Sequence, residues 1–515
     1  MPVSHHARVN PDGPALIFEP GGQTVSWSEL EMNSARLANL FAGHGLGKGD
    51  HVALLMENHP RFMEVVLAAV RSGLYVTPVN HHLTAGEVAY ILANCGARAI
   101  VTSPAHVAVA GAALAGNALC GLRLVTDQDG AADGFVGYEA AIAGASPDDP
   151  PQTAGDVMLY SSGTTGRPKG IKRPLPDGPF GATADLAGLS VYGLDDRSVY
   201  LSPAPLYHAA PLGYVLAVLQ LGGTVVVMER FDAEEALRLI EARRVTHSQW
   251  VPTMFVRMLK LPDSIRLARD LSSHRVAIHA AAPCPVEVKQ RMIAWWGPIL
   301  WEYYSSTERI GRTRIDSQEW LAHPGSVGRL AGGGAIHICD DGGEELPPGK
   351  AGVIYFEQPA GASFAYHDDA EKTAASRHPR HDDWLTVGDI GRLDGDGYLY
   401  LTDRKSFMII SGGVNIYPQA IEDALVMHPA VADVAVIGVP HPEMGEEVRA
   451  IVQLRPGEEG DDAMVVRLLA FLGDKVARYA LPRVIAFMEE LPRLPTGKLY
   501  KKALRDQYLA SNNLR

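Results

Sequence analysis

Cysteine is scarce in this chain: four residues in 515, at positions 95, 120, 284 and 339, with no Cys-x-x-Cys pair. That spacing excludes a disulfide scaffold and a cysteine-built zinc site, and buried free thiols are the expectation. No stretch holds the run of about 20 apolar residues that a bilayer-spanning helix needs. The first residues, Met1-Pro2-Val3-Ser4-His5-His6, lack the charged start and apolar centre of a signal peptide, so a cytoplasmic location is expected. Positive charge is also in deficit, with 46 Lys and Arg against 59 Asp and Glu and a formal net charge of −13. Without a basic domain or a dense Lys/Arg stripe to displace counterions, nucleic acid is excluded as a nonspecific partner. Gly-x-Ser-x-Gly is missing, which argues against a nucleophile-elbow hydrolase. His81 and His82 stand side by side with no carboxylate or third histidine at ligand spacing, and read as a solvated pair rather than a metal site.

What is present is enough apolar sequence, 47%, to bury a large core over more than one domain. Ser26 and Glu29 have capping-box spacing ahead of Leu30, Leu37, Leu40 and Phe41, which recur at helical intervals until Gly43. Apolar strand-like runs at 51–55, 74–79, 99–102 and 122–125 then alternate with helical patterns at 62–69 and 87–94. The alternation resumes at 224–228, 233–242 and 247–251. Strand and helix in alternation predict parallel sheets covered by helices, in two doubly wound α/β subdomains. Past residue 325 the texture turns β-rich, predicting a small barrel-like unit.

The chemistry is concentrated in Tyr160-Ser161-Ser162-Gly163-Thr164-Thr165-Gly166-Arg167-Pro168-Lys169-Gly170. Its glycines permit φ > 0, so that backbone N–H groups can converge on one anion; the hydroxyls add donors, and Lys169 adds a full charge. That suits a triphosphate. The loop is not Walker A, because the residues five after Gly163 and Gly166 are Pro168 and Ile171 rather than lysine.

Ser-Ser-Gly-Thr-Thr-Gly-Arg-Pro-Lys-Gly resembles the signature loop of the adenylate-forming superfamily, in its acyl-CoA synthetase (AMP-dependent CoA ligase) branch. Further segments, in order, carry the same resemblance. Leu206-Tyr207-His208 is similar to the segment that sets a ring beside the acyl carboxylate, although His208 alone reads equally as a hydrogen-bonded core histidine. Ala280-Ala281-Ala282-Pro283 is similar to the family's Gly-Gly-Ala-Pro loop with both glycines replaced by alanine; read by itself it is a strand-to-helix turn. Tyr304-Ser305-Ser306-Thr307-Glu308, preceded by Glu302 and Tyr303, resembles Tyr-Gly-x-Thr-Glu, and alone would be a helix cap. Gly388-Asp389, Asp403-Arg404 and Ser411-Gly412-Gly413 follow, and Pro495-Thr496-Gly497-Lys498 closes the series.

The resemblance implies an N-terminal adenylation domain over 1–404 and a small mobile α+β lid over 405–515, with a hinge near 405–406. It implies ATP and CoA as co-substrates and Mg²⁺ as cofactor. The nucleotide-binding set it carries is Ser161, Ser162, Gly163, Thr164, Thr165, Gly166, Lys169, Ala281, Ala282, Pro283, Glu302, Tyr303, Tyr304, Ser305, Thr307, Asp389 and Arg404. Glu308 and Thr164 take the metal; Ser411, Gly412 and Gly413 take CoA; Lys498, His208 and Thr307 are catalytic. His208, Trp250, Ala280 and Ala281 are placed at the acyl pocket.

The chemistry follows: a carboxylic acid and ATP give acyl-AMP and pyrophosphate, and CoA then gives acyl-CoA and AMP. The apolar, mostly small residues near His208 predict a medium- or long-chain fatty acid or a bulky hydrophobic acid, with an aryl acid such as benzoate or cinnamate as the alternative. A catalytically inactive nucleotide-binding relic is the reading outside enzymology. A homodimer is expected for an enzyme of this size.

Overall fold

The computed structural model describes residues 2–117, 119–128, 134–161, 168–180, 186–359, 364–404, 407–412, 414–473, 475–493 and 499–512. Two large sheets carry the N-terminal part. In the first, six strands lie in the order Val136–Gly137, Leu122–Val125, Ala97–Thr102, His51–Leu55, Tyr75–Pro78 and Asp156–Val157, and all the pairings are parallel. Its central strands are largely apolar, as strands covered on both faces are; all five residues of His51–Leu55 are buried.

The second sheet has nine strands. Its parallel centre runs Leu300–Ser305, Val276–His279, His247–Trp250, Val199–Ser202, Thr224–Met228 and Pro14–Glu19, and antiparallel pairings flank it. The chain leaves Val199–Ser202 through the helix Ala209–Leu221, joins its neighbour Thr224–Met228, and then crosses by Ala233–Ala242 to His247–Trp250 on the other side. Strand order therefore reverses at Val199–Ser202. Leu212, Val215 and Val218 of the first helix pack into one core cluster, and Ala236, Leu237 and Ile240 of the second into another, so helices cover both faces.

The helix expected after Ser26 spans Trp27–Gly43, and the Ser26 hydroxyl accepts from the Glu29 N–H at 3.2 Å. The β-rich stretch is a five-stranded antiparallel sheet that includes Gly352–Glu357, Asp389–Leu393 and Leu399–Arg404. Residues beyond 406 form a separate α+β unit. Its long hairpin Val431–His441 and Gly445–Leu454 carries the parallel strand Val484–Phe487, and Pro418–Leu425 and Asp462–Leu472 pack on it over their own core. This unit also contacts the larger part through Lys260, whose Nζ donates to the carbonyls of Val426 at 3.2 Å and Val431 at 2.6 Å.

One sequence expectation needs correction here. His81 and His82 are not merely solvated: their rings pack at 4.1 Å, and His81 also meets His106 at 5.0 Å and the Tyr207 ring at 5.3 Å. Burial and the neighbouring histidines push His81 down to about 4, so it is neutral at pH 7. Near the C-terminal end of the described residues, Lys501 is buried and pairs with Glu422 at 2.8 Å.

Candidate active site

In an open α/β sheet the carboxyl ends of parallel strands at an order reversal leave a crevice, because the following loops diverge to opposite faces. Here that reversal lies between Val199–Ser202 and His247–Trp250. Three of the motif segments leave the sheet at that end: residues 203–208 after Val199–Ser202, residues 280–285 after Val276–His279, and the end of Leu300–Ser305 running into Ser306, Thr307 and Glu308.

The first of these loops is held from the other subdomain. Buried Asn58 donates through Nδ2 to the carbonyls of Ala204 at 3.2 Å and Met228 at 2.7 Å, and its Oδ1 accepts from the Leu206 N–H at 2.8 Å. This three-way staple fixes where His208 stands. His208 has extended geometry (φ −89°, ψ 151°) as the residue before the helix Ala209–Leu221, and its ring packs on Tyr207 at 4.3 Å. No sequence pattern singled out Asn58; a lone polar residue becomes conspicuous only once its burial is known.

Alternation along the strands sorts the next group. Leu300–Ser305 sends Tyr303 to the face covered by Ala209–Leu221, where its hydroxyl accepts from Gln249 Nε2 at 3.2 Å and its ring lies 6.1 Å from Tyr214. Tyr304 faces the opposite side, and its hydroxyl donates to Asp389 Oδ2 at 2.7 Å. Tyr304 and Asp389 are thus brought together, and the Asp389 backbone is in register with that of Arg404. The side chain of Tyr303, carried with the nucleotide set, thus lies on the opposite face of the strand from that of Tyr304.

Glu302 is committed elsewhere. It is 4% exposed, its Oε2 accepts from Lys289 Nζ at 2.6 Å, and His279 Nε2 is 3.7 Å away. Burial raises its carboxyl above the ordinary range while Lys289 opposes the shift. Trp250, placed at the acyl pocket by the resemblance, packs into a core cluster. It is 1% exposed, donates through Nε1 to Ser248 Oγ at 2.5 Å and packs on Phe255 and Trp296 in the core of the other sheet face. Its neighbour Gln249 points to the other face, toward Tyr303, because adjacent strand residues point to opposite faces.

The loop after Val276–His279 keeps Ala280 buried at 5% exposure and turns sharply at Ala281, whose φ is +77°. Ala281 and Ala282 are exposed. Ser305 Oγ donates to the Gly311 carbonyl at 2.7 Å, and Thr307 is half-buried. Glu308 Oε1 accepts from the Tyr366 hydroxyl at 2.8 Å, which leaves its other oxygen for a cation. Among the described residues no group of three or more His, Cys, Asp or Glu could hold a metal ion. One carboxylate is the donor set expected where Mg²⁺ shares its oxygens with substrate phosphates, so Glu308 fits that ion.

Lys169 lies on Lys169–Lys172, in register with Ser161 across the hairpin that brackets the hydroxyl-rich loop. Ser162, Gly163, Thr164, Thr165, Gly166, Gly413 and Lys498 lie outside the described residues, as do the side chains of Ser161 and Arg404. Ser411 is buried at the end of Ile409–Ser411, and Gly412 takes φ +57° with its N–H donating to Met444 O at 2.8 Å.

The sequence reading also missed a tyrosine wall between the helix Ala209–Leu221 and the sheet. Tyr200 stacks on Tyr214 at 6.2 Å with 8° between planes, Tyr192 meets Tyr214 at 6.1 Å, and Tyr303 completes the group. Burial raises all four hydroxyls above their ordinary range, so they remain protonated donors.

Comparison with known proteins agrees with this geometry. Residues 3–364 match the family model described as AMP-binding enzyme, and residues 420–498 match AMP-binding enzyme C-terminal domain. The chain is 34% identical to feruloyl-CoA synthase of Amycolatopsis sp over 98% of its own length and 97% of that protein's. It is 31% identical to the long-chain-fatty-acid CoA ligase FadD13 of Mycobacterium tuberculosis over 99% and 98%. The crystal structure of the anthranilate CoA ligase AuaEII in complex with anthranoyl-AMP superposes with a TM-score of 0.83 at 25% identity, covering 99% of this chain and 97% of the other.

Proposed function

The chain belongs to the AMP-binding enzyme family and is an ATP-dependent acyl-CoA ligase, and from that premise we propose that the acid it activates carries an aromatic ring. One observation carries the choice. The face beneath the helix Ala209–Leu221 is built from Tyr192, Tyr200, Tyr214 and Tyr303, and stacked or edge-on rings are the surface that a planar aryl group matches best. A flexible long acyl chain, the first expectation from sequence, finds there rigid ring edges and hydroxyls in place of small apolar side chains.

In this reading the acid lies with its ring on the tyrosine face and its carboxylate toward His208. A carboxylate oxygen attacks the α-phosphorus of ATP and pyrophosphate leaves. Asp389 holds the ribose hydroxyls, with Tyr304 beside it against adenine and Thr307 donating to the α-phosphate. Lys169, with the hydroxyls and N–H groups of 161–166, steadies the departing pyrophosphate. Glu308 and Thr164 would hold Mg²⁺, which when bound offsets phosphate charge. Lys498 on the lid neutralises repulsion between the two reacting anions. Rotation of the lid, residues 405–515, about 405–406 then withdraws Lys498 and presents Ser411, Gly412 and Gly413 to CoA. The CoA sulfur attacks the acyl carbon, its proton passes to solvent, and AMP leaves.

CoA-dependent AMP formation measured over benzoate, cinnamate, indole-3-acetate, octanoate and palmitate tests the substrate class. At least tenfold higher kcat/KM for one of the aryl acids than for either fatty acid is the expected result, and the reverse order would sink it. Lys498→Ala should lose adenylate formation while still converting supplied acyl-adenylate and CoA to thioester. Equal loss of both half-reactions in a folded variant would refute the alternating lid.

A further inference from the structure

Several buried polar groups on the tyrosine face have partners. Gln249 Nε2 is given to the Tyr303 hydroxyl. His247 Nε2 is 2.9 Å from the Tyr192 carbonyl, and its Nδ1 is 2.8 Å from Thr246 Oγ1. Two hydroxyls end without one: the Tyr200 OH and the Ser202 Oγ. Tyr200 is 0% exposed and Ser202 1%, so solvent does not satisfy them. Buried hydroxyls normally find an acceptor or donor inside the protein, and two failures two residues apart on one strand call for a cause.

Their position supplies one. Tyr200 and Ser202 alternate with Leu201, which belongs to the core of the far face, and so both point to the face under the helix Ala209–Leu221. Tyr200 is in register with His247, and His247 with Val276, three residues before His279. At the rise of a strand that puts Tyr200 roughly 10 Å below the point where the Ala280 loop leaves the sheet. This depth accommodates one ring on a short spacer when the carboxylate sits at the level of His208 and Ala280. In the acyl site proposed above, Tyr200 and Ser202 would make a polar, unsatisfied floor and Tyr192, Tyr214 and Tyr303 aromatic walls.

We infer that Tyr200 and Ser202 are the specificity pair of this enzyme, and that they receive a hydroxyl on the distal edge of the aryl ring, so that the substrate class is phenolic acids. The inference rests on the aryl-acid reading above. Both protein groups can donate and accept, as a phenol can, and the substrate hydroxyl supplies in the complex the hydrogen bonds that the free protein lacks. A site built in this way discriminates strongly against the analogue without the hydroxyl, because that analogue leaves the buried groups unpaired.

The test compares kcat/KM for 4-hydroxycinnamate, cinnamate and 4-methoxycinnamate, with octanoate as the non-aryl control, in the full-length enzyme and in Tyr200→Phe and Ser202→Ala. The wild type should prefer 4-hydroxycinnamate over cinnamate at least tenfold. Tyr200→Phe should lower kcat/KM for 4-hydroxycinnamate at least tenfold more than for cinnamate, leave the KM for ATP within twofold, and hold or raise Tm, because it deletes a hydroxyl that has no partner in the free protein. Ser202→Ala should act in the same direction with a smaller effect, and it decides the matter alone if Tyr200→Phe does not fold. Equal use of cinnamate and 4-hydroxycinnamate by the wild type, or equal losses on both acids in the variants, overturns the specificity pair and leaves the aryl reading standing. Turnover of octanoate with none on any cinnamate overturns the aryl reading itself.

Discussion

At Ala281 an L-residue holds φ +77°, a conformation in which its Cβ crowds the following carbonyl. The side chain is exposed, so no packing offsets the strain. Ala281→Gly should therefore stabilise the protein by about 1 kcal/mol, the relief of strain outweighing the extra chain entropy of glycine. A rise in Tm by calorimetry checks this, and a fall would mean that the methyl group makes a contact the backbone angle does not betray. Individual residues were legible in the sequence where a motif fixed both identity and spacing, as with Tyr304 and Asp389, which meet at 2.7 Å. They were illegible where the answer was a direction. Trp250 and Gln249 are neighbours, and only the strand's alternation decides which of them meets Tyr303; the contact of Glu302 with Lys289, thirteen residues earlier on a helix, has no sequence signal either.

Among the elements, the helix Pro418–Leu425 of the smaller domain carries an unusual load. Glu422 accepts from the Val436 N–H at 2.6 Å and pairs with Lys501, while Asp423 Oδ1 accepts from Gln419 Nε2 at 2.7 Å. Burial, reinforced by the nearby Glu422 and Asp403 carboxylates and opposed by Gln419 and Lys501, pushes Asp423 up to about 7. A carboxyl that binds its proton more tightly when folded adds stability fully present below its ordinary value near 4, and that stability is lost as pH rises toward 7. Asp423→Asn should flatten this loss: between pH 5 and 8 the variant's Tm should fall less than that of the wild type. Parallel Tm profiles would show that Asp423 titrates normally. Most elements could be read from periodicity, including Thr224–Met228 and Ala233–Ala242. The tyrosine wall could not, since Tyr192, Tyr200, Tyr214 and Tyr303 come from four separate elements and no local pattern announces their convergence.

For the molecule as a whole, the alternation of strands and helices sufficed to predict parallel sheets, but not where the smaller domain rests on the larger. That contact includes a cavity of about 250 Å³ lined by Val256, Leu259, Lys260, Val288, Met427 and Arg455, among others. Lys260 anchors one side of it, and burial together with Arg455 pushes its amine down to about 8. Lys260→Met removes two charge-assisted hydrogen bonds, and the local docking should weaken by about 2 kcal/mol. Hydrogen exchange should report it: the amides around Val426 and Val431 should lose roughly thirtyfold protection while those of the sheet containing Thr224–Met228 keep theirs. Unchanged protection at 426–431 would assign the docking to the apolar contacts alone. Both acceptors for Lys260 are main-chain carbonyls, which every residue type presents alike. The larger domain therefore grips its companion without reading the companion's side chains at those two positions, and the grip survives sequence drift there. Grafting the equivalent C-terminal module of a distant relative onto residues 1–404 should preserve this clasp, making the module exchangeable as a unit.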